Sequence, residues 1–118
     1  MMSIYTGKRE GKVISVTVDG VFLDPRTDIR DLSSDGFEWG YVGSGPYQLA
    51  LAMLANHFDD ERTALGNYRS FCETVILRFA NDGWTMESDA IDAALEGVIE
   101  VDMTLEELLN KARGIAID

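Results

Sequence analysis

Three observations on this 118-residue chain predict an α+β fold. The opening third alternates β-branched residues around an Asp-Gly pair. The middle third carries two runs of helical spacing with only a few residues between them. A glycine-rich, aromatic segment joins the two kinds of sequence. The expected architecture is a small antiparallel sheet, the amino-terminal hairpin, packed on an antiparallel helical hairpin with two shorter carboxy-terminal helices.

The hairpin comes first. Lys12-Val13-Ile14-Ser15-Val16-Thr17-Val18 alternates, Asp19-Gly20 supplies a turn, and Val21-Phe22-Leu23 returns. A type I′ turn needs positive φ at both central positions, which Asp-Gly tolerates. A two-residue loop places Val18 opposite Val21 and Val16 opposite Leu23, so these four share the face that covers the helices, and Ile14 extends it. Ile4-Tyr5-Thr6 is expected to add a third strand through a turn over Gly7 to Gly11, because a lone hairpin is marginal in water. Asp24-Pro25-Arg26 ends the hairpin, since proline cannot donate to the ladder. Residues 24–36 read as an acidic surface loop.

Helix one is expected from Pro46, with Gly45 or Ser44 as its cap. Tyr47 to Ala55 is apolar on nearly every side, which marks a buried helix. Helix two is expected from about Asp60 to Phe79, where Ala64, Leu65, Tyr68, Phe71, Cys72, Val75, Ile76 and Phe79 form one apolar stripe. The short connection makes the pair antiparallel. After Asn81-Asp82-Gly83, a shorter helix is expected to begin at Trp84-Thr85-Met86, with Ile91, Ala94, Leu95 and Val98 on one face. A last helix starts at the capping box Thr104-Leu105-Glu106-Glu107, carries Leu105, Leu108, Leu109 and Ala112, and ends at Gly114. Residues 1–118 are read as one domain, with 87–118 as its acidic helical extension.

Composition narrows the function classes. Hydrophobic residues make up 46% and charged residues 26%, a globular balance. Net charge is −11, concentrated after residue 80, which argues against direct nucleic-acid binding because phosphates need cations. The single cysteine, Cys72, has no disulfide or zinc partner, which points to the cytoplasm. The first residues lack a signal-peptide core, and the longest apolar run, Leu49 to Ala55, is too short for a bilayer. No membrane association is expected.

Phe37-Glu38-Trp39-Gly40-Tyr41, Gly43-Ser44-Gly45-Pro46 and Gln48-Leu49-Ala50-Leu51-Ala52 resemble the signature of a small family of single-domain microbial and mobile-element proteins, a domain of unknown function. The resemblance covers roughly residues 5–86. It departs at Val42, where the pattern has glycine, and at Tyr47, where it has a small residue. It implies a fold and no activity. A left-handed backbone at Val42 would be strained for a β-branched side chain.

The candidate ligand-binding set is Trp39, Tyr41, Gly43, Ser44, Gly45 and Gln48. Glycines ahead of a helix can offer backbone N–H groups to an anion, and the two aromatic rings can stack a flat ligand. The alternative is a tight turn locked onto the helices by the same rings. The spacing is neither a phosphate-binding loop nor a dinucleotide fingerprint. Ser44 lacks the flanking glycines of a nucleophile elbow, and the one histidine, His57, lies on the order of 15–20 Å along the same helix. No catalytic residue is assigned. His57 with Asp59, Asp60 or Glu61 more naturally completes helix ends than holds a metal, and no cofactor is expected. Cys72 reads as a small buried hydrophobe.

The leading expectation is a non-enzymatic binding or regulatory module acting through protein contacts. The alternatives are a nucleotide or anion binder at the glycine turn, and an acidic nucleic-acid mimic that inhibits a nucleic-acid enzyme. Leu105, Leu108 and Leu109 can serve a homodimer or pack on the domain itself.

Overall fold

The computed structural model describes residues 2–96. Its four strands are β1 (Ile4–Glu10), β2 (Val13–Val18), β3 (Val21–Phe22) and β4 (Gly83–Glu87), and its helices are α1 (Ser44–Phe58), α2 (Glu61–Thr74) and α3 (Ser88–Leu95). The strands form one antiparallel sheet in the order β3-β2-β1-β4. One face of the sheet covers the helices. The final helix expected from Thr104 lies outside the described residues, as does Val98.

The hairpin turn follows its residue types. Asp19 and Gly20 take φ of 52° and 85°, the pair of positive angles that a type I′ turn requires. Val18 pairs with Val21, and the Leu23 N–H donates to the Val16 carbonyl at 2.9 Å. Val16 and Leu23 are buried, but Val21 is 70% exposed, so the tip protrudes beyond the core that Val21 was expected to cover.

The first strand is longer than its sequence suggests. β1 runs straight through Gly7, and the turn to β2 is confined to Gly11 and Lys12, with Gly11 at φ 62°. Trp84-Thr85-Met86 is a strand and not the start of a helix. It pairs with β1, placing Trp84 opposite Gly7 and Met86 opposite Tyr5. Trp84 is buried and Thr85 exposed, the period-2 alternation of a strand.

α1 begins two residues before Pro46, with Gly43 as N-cap and no side-chain cap. Leu49 to Ala55 are all buried, so α1 is the central pillar of the core. Asp59, left-handed at φ 53°, closes α1, and Asp60 caps α2 by accepting from the Arg62 N–H at 3.1 Å. α2 stops at Thr74 and is followed by a 3-10 turn, Ile76–Arg78, so the stripe to Phe79 is not one continuous helix. Three consecutive β-branched residues, Thr74-Val75-Ile76, crowd the backbone there. The Ile76 carbonyl then accepts from the Gly40 N–H at 3.1 Å, tying the glycine segment to this break.

Candidate functional site

The glycine segment is held from three sides. Arg9 of β1 reaches Glu38 with two parallel hydrogen bonds, Nη2 to Oε1 at 2.8 Å and Nη1 to Oε2 at 3.1 Å. Its Nε donates to the Asn81 carbonyl at 2.8 Å. The guanidinium beside Glu38 holds that carboxyl below its ordinary range, against the opposing effect of burial. The same guanidinium lies 4.9 Å over the Trp39 ring. Trp39 is 2% exposed and donates its indole N–H to the Ala80 carbonyl at 2.9 Å.

Gly40 carries the left-handed angle of this loop, φ 90°. Val42 is not among the positive-φ residues, so the left-handed strain that a β-branched side chain would meet does not arise there. Gly45 is buried where a Cβ would come within 2.8 Å of the Glu38 Cβ, so the start of α1 is pressed against the loop. Gly43 lies under the Tyr41 ring, where a Cβ would meet Cε2 at 2.8 Å.

Gln48 is fully buried, and its amide organises residues 25–33. Oε1 accepts from the Leu32 and Ser33 N–H groups at 2.7 and 3.1 Å. Nε2 donates to the Pro25 and Arg30 carbonyls at 2.7 and 3.1 Å. Both donors and both lone-pair directions of the amide are thereby used.

In front of this framework lies an open cleft of about 510 Å³. Lys12 and Ile14 line it from the sheet, Ser33, Asp35, Gly36, Phe37 and Glu38 from the loop, and Tyr41, Ser44 and Gly45 from the turn. A second cleft of about 460 Å³ shares Glu38 and Tyr41 with the first and is otherwise lined by Arg9, Trp39, Gly40, Phe79 and Asn81. Tyr41 is 51% exposed and borders both.

The six residues singled out in the sequence therefore part company. Tyr41, Ser44 and Gly45 line the larger cleft, Trp39 borders only the smaller one, Gly43 supports Tyr41, and Gln48 faces the interior. Lys12, Ile14 and Asp35 join the cleft from elements that no local motif connects to the turn. His57 lies at the other end of α1, its Nε2 at 2.7 Å from Asp92 Oδ1 of α3. Cys72 is buried, and burial pushes its thiol up to about 11.

These features define a small α+β domain with a four-stranded antiparallel sheet over three described helices and a cleft at the start of the central helix. The chain belongs to the family of unknown function DUF6166, whose model matches residues 5–97. The match thus includes α3, beyond the limit at residue 86 expected from the signature. No curated protein and no solved structure matches the chain. Among the described residues, no helix is long and apolar enough to cross a membrane.

Proposed function

We propose that this domain is a binding module that acts through protein contacts, with the cleft bordered by Tyr41 as its contact surface. The observation that carries this reading is the half-exposed Tyr41 on a braced loop. The ring borders two clefts, and the backbone on either side of it is tied by the Gly40 N–H to the Ile76 carbonyl and by the Tyr47 N–H to the Gly43 carbonyl. An amphipathic ring with few rotatable bonds on a tied backbone loses little entropy on binding, which suits it to anchor an interface.

The second reading is a small anion at the start of α1. Its support is that α1 has no side-chain cap and that Ser44 and Gly45 line the cleft. Asp35 in the same space opposes an anion, but Lys12 there offsets it and Glu38 is matched by Arg9.

A photo-crosslinking amino acid at position 41 tests the first reading, with position 59 as control. The two sites lie at opposite ends of α1, about 20 Å apart. The expected result is one discrete protein adduct from position 41, absent from position 59 and suppressed by excess unmodified protein. Equal or absent adducts would overturn the reading. A melting-temperature rise with inorganic phosphate or a nucleotide would favour the second.

A further inference from the structure

We propose that the cleft receives an extended, cationic peptide segment of a protein partner, which pairs with the free edge of β2 at Ile14. This rests on the cleft being a protein-contact surface and adds how it makes contact. The backbone geometry carries it. The Leu23 N–H donates to the Val16 carbonyl, so Val16 turns its main-chain groups toward β3. Ile14, two residues earlier on the same strand, turns its own N–H and C=O to that side.

Continuing the register, Pro25 falls opposite Ile14. Proline has no N–H to give the Ile14 carbonyl. The Pro25 carbonyl is already taken by Gln48 Nε2 at 2.7 Å, and the backbone bends away at Arg26, with φ 56°. The return strand is thus stopped one pair short, and no hydrogen bond from another described segment replaces it. An open donor and acceptor two residues from a paired carbonyl form a template for one more strand.

The side chains beside this edge fit a strand as well. Ile14 and Phe37 are half-buried in the cleft and offer an apolar seat for one side chain of the incoming segment. The sign is set by the chain as a whole, whose net charge of −11 favours a cationic segment. Within the cleft Arg9 matches Glu38, and the exposed Lys12 and Asp35 offset each other. A second copy would bring two chains of net charge −11 together, which like-charge repulsion opposes.

The test uses the full chain and a displayed library of random linear peptides roughly ten residues long, enough for one strand. For a selected peptide, the Ile14 amide is expected to exchange at least about tenfold more slowly when bound. N-methylation at every second peptide residue should weaken binding about tenfold or more, while the intervening positions tolerate it. Ile14→Pro should abolish binding; because Ile14 also packs on the core, the N-methyl scan gives the same answer without relying on that variant's folding.

If the peptide shifts Phe37 and Tyr41 resonances but leaves Ile14 exchange unchanged, strand addition fails and the contact surface stands. If no selected peptide perturbs the cleft, strand addition fails, and position 41 crosslinking alone then decides the broader reading. Ile14 protection that grows with protein concentration and needs no peptide would assign the edge to a second copy and overturn the partner.

Discussion

Gly7 and Trp84 face each other across β1 and β4, and the indole occupies the space where any other residue at position 7 would have a side chain. A Cβ on Gly7 would lie 2.3 Å from Trp84 Nε1. The covered glycine explains how the ring is stacked at 4.1 Å on Phe79 and edge-on to Trp39 at 5.7 Å. Glycine weakens a strand, and the aromatic ring laid over it restores the lost packing.

Gly7→Ala is therefore expected to destabilise the domain by about 3 kcal/mol in chemical denaturation, the upper range for overpacking a core. Combined with Trp84→Leu, the loss should be smaller than the sum of the two single losses. Strict additivity would show that the two residues do not share this space.

The Arg9–Glu38 pair predicts a pH dependence. Glu38 ionises below its usual value of 4.5 in the folded state, so the pair stabilises the fold above that value. The contribution is lost as pH falls through the lower, folded value. Glu38→Gln should melt below wild type at pH about 7, with the gap closing under acid conditions. A gap that stays constant from neutral to acid pH would contradict the assignment.

Gln48→Leu keeps the volume but strips four partners of their hydrogen bonds. A loss of about 2–3 kcal/mol is expected, since buried groups are left unpaired. Hydrogen exchange should quicken first at Leu32 and Ser33. Unchanged exchange at those two amides would mean that the loop is held by something else.

Cys72 should resist alkylation in the native protein, because it is buried and its thiol is raised to about 11. Labelling measured against denaturant should follow global unfolding. Rapid labelling without denaturant would reveal local opening of the α1–α2 interface.

The elements legible from the sequence were those with local signals. Asp19-Gly20 marks its own turn, and the continuous apolar run after Pro46 marks a buried helix. β4 was not legible, because Trp84-Thr85-Met86 is too short to distinguish strand from helix and its partner, β1, lies more than seventy residues earlier in the sequence. The end of α2 was hidden because Val75, Ile76 and Phe79 keep helical spacing through the 3-10 turn. At the site, the glycines and Tyr41 were visible as a motif. The inward turn of Gln48 and the arrival of Ile14 and Asp35 depend on tertiary packing, which no spacing rule encodes.

The strand order also has a consequence for synthesis. β1, the first of these four strands to be made, sits between β2, made next, and β4, made last. A nascent chain can close the first hairpins and both long helices while one flank of β1 remains unpaired and Gly7 uncovered. Only when residues 83–87 emerge does Trp84 seal that flank. Until then the growing polypeptide carries an open edge of its own, so its exposure to misassociation is set by translation speed between the codons of β2 and those of β4.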